Sequence, residues 1–274
     1  MSGSLPRGSD EPAARGAAAL VQLPRARAPK GAELVRLRLR DRPGSLAGVA
    51  GHFAASGVDV LRLEVLGRRD GFAIDDFLVS GPGLDGALAG LGAHATVLAR
   101  RPGVDLRDPG LAMAAACAAV TAAGSGREAH RSLVHAALGL VFAEAGLLCL
   151  RQDDGLLRVV ASTHPGVPLL VDGSAASLLA SALFSGECLT ADGRAPWAPP
   201  GYRDLLPAGA VAAVPGGSPP SLVLVLLRED PAPFVAAELD RLAALVRVAI
   251  GTLQLHDAAR PGPNGRRVAA GFTF

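Results

Sequence analysis

The sequence is short of several residue types on which particular functions depend. Its 274 residues include one tyrosine, one tryptophan and three cysteines, and Lys30 is the single lysine. Alanine, glycine, arginine and proline are abundant instead, a bias typical of a GC-rich bacterial genome. The arginines are spread along the chain rather than clustered, and the net charge is only +2. We therefore expect no nucleic-acid partner, because a phosphate backbone selects a clustered basic surface.

The cysteines give no sign of metal or disulfide chemistry. Cys117, Cys149 and Cys188 are odd in number and more than thirty residues apart. No C-x-x-C pair or His-Cys cluster accompanies them, so the pattern predicts neither a zinc site nor a disulfide framework. Each lies beside Ala or Leu, which favours small buried hydrophobic side chains. We expect no bound metal and no cofactor.

The sequence pattern predicts neither a targeting segment nor a membrane-spanning helix. Residues 1–30 mix Gly, Ser, Pro and both charges without periodicity, which predicts a disordered leader rather than a signal peptide. The longest uncharged run, Pro109 to Gly126, is mostly Ala and Gly. The transfer of alanine from water into the bilayer is only weakly favourable, so this run does not predict a membrane-spanning helix. We expect a cytoplasmic protein with no membrane partner.

No familiar catalytic motif is found: G-x-S-x-G, G-x-x-x-x-G-K-[ST] and H-E-x-x-H do not occur. Asp75 and Asp76 lie in a predicted strand, where neighbours point to opposite faces, so we predict solvated or edge positions. His130 and His135 would lie about 140° apart around a helix, which is poor geometry for binding one metal ion together. His164 follows a strand in a turn, and a plain turn histidine is the simpler interpretation. We expect that the protein is not an enzyme.

The first clear periodicity begins at residue 33. Apolar residues from Val35 to Leu39 alternate with arginines, which predicts a half-buried strand. The segment D-R-P-G-S at residues 41–45 then ends the strand and starts a helix. Asp41 and Ser45 can cap a helix, and proline suits its first turn.

The rest of this region predicts a βαββαβ order, the ferredoxin-like split βαβ, and hence an α+β fold class. The predicted elements are an amphipathic helix with its stripe at Leu46, Val49, Ala50 and Phe53, strands Val58–Leu66 and Phe72–Val79, a short helix to about Leu91, and a last strand Ala93–Ala99.

Three segments resemble the ACT domain family over residues 33–101. Val35 to Leu46 reads V-R-L-R-L-R-D-R-P-G-S-L, the stretch from Ala54 reads A-A-S-G-V-D-V-L-R-L-E-V, and Asp75 to Val79 reads D-D-F-L-V. They are similar to that family's first strand, ligand loop, helix and next two strands. The resemblance implies an ACT domain at residues 31–103 that binds a small metabolite, plausibly an amino acid, often at a dimer interface.

The resemblance also implies a ligand site between the loop and the start of the second strand. The matching positions are Asp41, Arg42, Pro43, Gly44, Ser45, Leu46, Val58, Asp59 and Val60. A helix start offers unpaired N–H groups and partial positive charge to a carboxylate, and Gly44 lets ligand atoms approach. The alternative that residues 41–45 are only a good helix start stays open. Many amino-acid-binding members carry Asn where Asp59 stands; an ionised Asp would repel a carboxylate or hold an α-ammonium group.

Residues 107–256 predict a second unit, and residues 257–274 a flexible tail. Helices are predicted at Pro109–Ala123, Glu128–Ala143 and Ser174–Leu183, strands at Leu147–Leu150, Leu157–Ala161, Glu187–Thr190, Ala210–Val214 and Leu222–Leu227, a loop at Arg194–Pro207, and a long helix to about Leu255. This order, and the P-F-V-A-A-E-L run that starts the last helix, resemble a GAF domain: an antiparallel sheet flanked by helices. No tetrapyrrole-attachment or cyclic-nucleotide signature accompanies it.

The last helix carries apolar residues at heptad spacing, which allows two interpretations. One is a dimer seam, and the other is packing of the helix on its own sheet. The residues are Val235, Leu239, Leu242, Val246, Ala249 and Leu253. Together the patterns predict a non-enzymatic, dimeric regulatory protein in signal transduction. A ligand-free adaptor is the alternative.

Overall fold

The computed structural model describes residues 31–103, 108–153, 156–164, 170–171, 179, 185–192, 209–217, 220–229 and 232–259. These residues form two antiparallel sheets with helices, so the predicted α+β class is confirmed. The predicted leader 1–30, the loop 194–207 and all but one residue of the predicted helix 174–183 lie outside the described residues. The predicted flexible tail begins too early, because the last helix continues to Ala259.

The first unit follows the predicted βαββαβ order. It comprises β1 Glu33–Arg40, α1 Ser45–Ala55, β2 Asp59–Arg69, β3 Phe72–Ser80, α2 Leu84–Gly90 with a short 3₁₀ turn Leu91–Ala93, and β4 Ala95–Pro102. The strands lie in the order β2-β3-β1-β4, so β2 and β4 are the edges.

The two faces of this sheet have different partners. Val35 lies opposite Phe77 and Leu37 opposite Asp75 in the β1–β3 register. The Phe77 ring packs edge-on against Phe53 of α1, with centroids 5.8 Å apart, so this row of side chains faces the helices. The alternate row, which includes Arg36, points away from the helices.

The second unit has helices on one face of a larger sheet. It comprises α3 Pro109–Thr121, α4 Gly126–Val141, β5 Ala145–Arg151, β6 Leu157–Ser162, β7 Leu170–Val171, β8 Leu189–Asp192, β9 Ala210–Gly217, β10 Pro220–Arg228 and α5 Ala236–Ala259. The strand order is β7-β6-β5-β10-β9-β8. β10 is buried along most of its length, which explains its continuous L-V-L-V-L-L run.

The heptad stripe of α5 belongs to the core of its own unit. Leu242, Val246 and Ala249 are 0% exposed and pack in one cluster with residues of α4 and β10. Leu239 and Leu253 pack against the same cluster. The interpretation of packing on the sheet is therefore the one that the structure shows. A 3.5-residue and a 3.6-residue spacing differ too little over three heptads for the sequence to separate them.

Candidate functional site

The loop between β1 and α1 leaves the start of α1 without a side-chain cap. Gly44 occupies the N-cap position with φ 86°, in the left-handed region, and no side chain accepts from the helix start. The predicted capping by Asp41 or Ser45 is therefore wrong. The Ser45 N–H donates to the Arg42 carbonyl at 3.2 Å and the Gly48 N–H to the Gly44 carbonyl at 2.9 Å. The N–H groups of the residues between them are left for solvent or a ligand.

The predicted ligand residues fall into two separate groups. Residues 41–46 form one surface segment, most of it exposed, where β1 ends beside Phe72. Val58, Asp59 and Val60 lie at the opposite end of the sheet, because Asp59 is opposite Ser80. Phe72 and Ser80 are eight residues apart on β3, on the order of 26 Å at about 3.3 Å per residue. Within one chain, the structure does not bring the two groups together.

Asp75 is a buried carboxylic acid with an unpartnered oxygen. It is 2% exposed, and its Oδ1 has no hydrogen-bond partner. Burial raises the pKa of this carboxyl to about 6, and the nearby charge of Arg68 offsets only part of the rise. The predicted solvated or edge position is wrong for Asp75 and also for Asp76, which is 6% exposed. Buried polar groups are nearly all hydrogen-bonded, so the Oδ1 atom of Asp75 is a candidate contact for a molecule from outside the chain.

Asp76 belongs to a buried group of four charges between the two units. Arg36 Nε donates to Asp76 Oδ1 at 2.8 Å, and Arg36 Nη2 donates to Asp76 Oδ2 at 2.9 Å and to Glu238 Oε1 at 3.0 Å. Arg228 Nη2 donates to the same Glu238 oxygen at 2.6 Å and to the Val141 carbonyl at 2.5 Å. The sheet of the first unit is thereby linked to the first turn of α5.

The charges in this group determine the ionisation of Glu238. Burial acts to raise the pKa of Glu238, but the charges and hydrogen bonds of Arg36 and Arg228 outweigh it and lower the pKa below its ordinary value. The Glu238 Oε2 atom accepts the Val235 N–H at 3.1 Å, which also fixes the segment before α5. Sequence reasoning missed these residues, because Arg36 looks like the exposed Arg38 and Arg40 of the same strand.

A cleft of about 390 Å³ lies between the units. Arg62 and Glu64 of β2 and Arg241 of α5 form its polar wall, while α3 and α4 contribute small residues such as Ala115 and Gly139. Arg62 Nη2 lies 3.4 Å from Glu64 Oε2, and Arg241 also pairs with Glu64. The volume falls within the roughly 300–1,000 Å³ of typical small-molecule sites, so a ligand there would contact both units.

The run Gly81–Gly86 reads G-P-G-L-D-G between a strand and a helix, a spacing of dinucleotide-binding loops that sequence reasoning overlooked. The structure gives its glycines a packing role. A Cβ at Gly81 would lie 2.4 Å from the Gly57 carbonyl oxygen, and one at Gly83 would lie 1.9 Å from the Ser56 carbonyl oxygen. The helix that follows has seven residues, and β3 and β4 are not neighbours in the sheet. This is not the βαβ unit of a dinucleotide site.

Edge strand β2 exposes a row of apolar side chains. Leu61, Leu63 and Val65 are 41%, 37% and 49% exposed, at every second position of the strand. An edge with unpaired backbone groups and apolar side chains is a surface on which another strand can add.

Within the described ranges, no group of three His, Cys, Asp or Glu side chains could hold a metal ion. No helix in those ranges is both long and apolar enough to cross a bilayer.

Comparisons with known proteins find similarity of fold only. No protein-family model matches the chain, and a search of characterised proteins found no match. The GAF domain of a phosphoenolpyruvate-protein phosphotransferase from Coxiella burnetii is 18% identical with a TM-score of 0.45, over 55% of this chain and 95% of that one. The GAF domain of the Acinetobacter phosphoenolpyruvate-protein phosphotransferase is 14% identical with a TM-score of 0.45, over 57% and 98%. A GAF domain/HD domain protein from Geobacter sulfurreducens is 22% identical with a TM-score of 0.41, over 52% and 97%.

Proposed function

We propose that the chain is a regulatory protein, not an enzyme, and that it binds a small metabolite at the loop of residues 41–46. The observation that carries the proposal is the uncapped start of α1 at Gly44. Such a helix start presents free N–H groups and partial positive charge to an anion. The βαββαβ order around it agrees with the resemblance of residues 33–101 to ACT domains.

The ligand class that suits this loop is an amino acid or a related carboxylate. The loop is exposed, and a Cβ built on Gly44 would meet nothing within 4 Å, so a ligand carboxylate can reach the backbone. A carboxylate needs no dedicated side chain at such a position, because backbone N–H groups and the helix dipole hold it.

A complete site at the predicted residues requires two copies of the chain. Antiparallel pairing of one β2 edge with the β2 edge of a second copy would place residues 58–60 of one chain near the loop of the other. The exposed row Leu61, Leu63 and Val65 supplies the apolar contact for that pairing. The homodimer is therefore proposed through β2 and not through α5, whose stripe is buried within the chain.

The output of ligand binding is a change in how the first unit holds α5. The buried pair between Arg36 and Glu238 links β1 with α5, and β1 leads directly into the ligand loop. A shift of the loop end of β1 would therefore act on a buried charge group rather than on a loose surface contact. Partner affinity or dimer geometry would respond in turn.

The alternative function is a ligand-free adaptor, and the exposed apolar row on β2 is the observation that favours it. A thermal-shift screen of the wild-type protein against the twenty amino acids separates the two. A ligand that binds the folded state raises the melting temperature by mass action. We expect at least one amino acid to do so, and a screen without any shift would favour the adaptor.

The same screen on Ala115→Leu separates the loop from the cleft between the units. Ala115 lines the cleft and is exposed, so leucine fills space there without entering a core. A ligand at the loop keeps its shift in this variant, whereas a ligand in the cleft loses it.

A further inference from the structure

The place of Asp75 follows from its neighbours on β3 and α1. The rings of Phe77 and Phe53 are in contact. Asp75 lies two residues from Phe77 toward the loop, about 6.6 Å along the strand, and Val49 lies one turn from Phe53 in the same direction. Asp75 is therefore beneath the first half of α1, on the face of the sheet that carries the helix.

The unpartnered oxygen of Asp75 and the uncapped helix start make a complementary pair. The helix offers N–H donors and partial positive charge, while Asp75 offers a carboxylate that the protein leaves without a donor at Oδ1. An anion alone would satisfy only the helix. A molecule that carries a carboxylate and a protonated amine would satisfy both, and the amine would form a charge-assisted hydrogen bond.

We propose that Asp75 receives the ammonium group of the ligand, so that the loop selects metabolites bearing both a carboxylate and a protonated amine. The inference rests on the proposed ligand binding at residues 41–46 and assigns the selectivity of that site. It replaces Asp59 as the ammonium acceptor within the chain, because Asp59 lies at the far end of the sheet.

Access to Asp75 is from the loop end of the sheet, where Arg68 and Asp41 lie. The Arg68 side chain is 69% exposed, and its charge acts on Asp75 while it forms a 3.6 Å ion pair with Asp41. The Arg68 side chain is at the surface and can move aside, and the ligand's ammonium would take its place as the cation that faces Asp75.

The charges around Asp75 define a pH dependence for binding. Arg68 and Asp41 lie near it at the loop end, and Asp76 points to the other face of the sheet. α1 buries Val49 and Phe53 against the sheet, and its His52 places Nε2 2.8 Å from the Ala87 carbonyl, toward α2. Because burial raises the pKa of Asp75 to about 6, binding of an ammonium group strengthens as the pH rises through 6.

The experiment compares each of the twenty amino acids with the 2-hydroxy acid that has the same side chain, in wild type, Asp75→Asn and Asp85→Asn. Asp85 is the control, because its side chain is 84% exposed on the same unit. We expect an amino acid to bind wild type and Asp85→Asn equally and Asp75→Asn about tenfold or more weakly, the loss of one charged hydrogen-bond partner. The hydroxy acid should bind all three alike and weakly.

Folding of Asp75→Asn is checked in the same melts. Without ligand, the variant should melt above wild type at pH 7.5, with a gap that closes toward pH 4. The reason is that a raised acid pKa makes the ionised group costly above pH 6, and asparagine removes that cost. If the variant does not fold, the pH series on wild type decides, since amino-acid affinity must rise from pH 5 to pH 7.

The outcomes separate the two proposals. If the hydroxy acid binds wild type as tightly as the amino acid, or if Asp75→Asn binds the amino acid unchanged, the protein still binds a carboxylate, as the proposed function requires, but Asp75 does not select an amine. If neither compound class binds wild type at all, the proposed function fails and the role of Asp75 fails with it.

Discussion

Arg36 and Glu238 are 202 residues apart in the sequence, yet Nη2 of the arginine lies 3.0 Å from Oε1 of the glutamate. Their side chains are 6% and 1% exposed. The contact joins β1, on the face of its sheet that points away from α1, to the first turn of α5. It therefore connects the two units through a buried ion pair.

Removing one partner of this pair should destabilise the protein strongly. We predict that Arg36→Ala lowers the free energy of unfolding by about 3–5 kcal/mol, because Glu238 and Asp76 both lose a buried ion-pair partner. Urea denaturation measures the change. The matched control is Arg100→Ala, which removes the exposed pairs with Glu33 and Asp85 and should cost less than about 1 kcal/mol.

Equal losses in the two variants would contradict this account. They would mean that the Arg36 group is solvated in solution like the Arg100 group. The units would then be free to move independently, and the proposed output through α5 would lose its basis.

The buried group of Arg36, Asp76, Arg228 and Glu238 also predicts that the protein loses stability in acid. Because the Arg36 and Arg228 partners lower the pKa of Glu238 in the folded state, the ionised glutamate contributes stability above its ordinary pKa of about 4.3. That stability is lost as the pH falls from there through the lower folded-state pKa. Glu238→Gln should flatten this part of the unfolding free energy against pH. If the free energy of unfolding of Glu238→Gln falls with pH as steeply as that of wild type, other carboxylates control the loss of stability at low pH.

The alternation of apolar and arginine residues in β1 predicts the strand and its two faces correctly, because a period of two is a local property. It does not predict what covers each face. Arg36 is 5% exposed while Arg38 and Arg40 are exposed, and the difference arises from the second unit, more than a hundred residues later. The burial of Asp76, which pairs with Arg36, was missed for the same reason.

The stripe on α5 is a core stripe, which changes what a charge placed there should do. We predict that Leu242→Asp unfolds the protein or costs more than about 4 kcal/mol, since it places an unpaired charge at a 0% exposed position. Circular dichroism melts measure this. The control on the same helix is Leu255→Asp, at a 65% exposed side chain, which should stay within about 0.5 kcal/mol. A folded monomer from Leu242→Asp would instead identify the stripe as a dimer seam.

The edge of β2 should hold the homodimer. We predict that wild type sediments as a dimer and that Leu63→Lys sediments as a folded monomer, because lysine on an edge strand opposes strand addition. Val97→Lys is the matched control, since Val97 is 37% exposed like Leu63 but lies on β4, the opposite edge. A monomeric wild type would contradict the homodimer, and a dimer that Val97→Lys dissociates would place the interface on β4 instead.

The site was predictable only where it is contiguous in sequence. The segment at residues 41–46 forms the loop as predicted, with Gly44 at a φ that favours glycine. The structure does not bring Asp59 next to this loop within one chain. The reason is that α1 and the turn after it carry the chain from the loop to the far end of the sheet, where β2 begins. Asp75 could not be assigned from the sequence, since its burial depends on α1 packing above it.

Ligand binding at the loop is the central claim, and calorimetric titration of Gly44→Val tests it most directly. The titrant is the amino acid that raises the wild-type melting temperature most. The control is Gly103→Val, which has the same left-handed requirement at φ 68° and the same open surroundings, on the far side of the sheet. Both variants pay a similar backbone cost of about 1–2 kcal/mol. The account predicts that Gly103→Val binds like wild type and that Gly44→Val shows no heat of binding. Equal affinity in the two variants would contradict it.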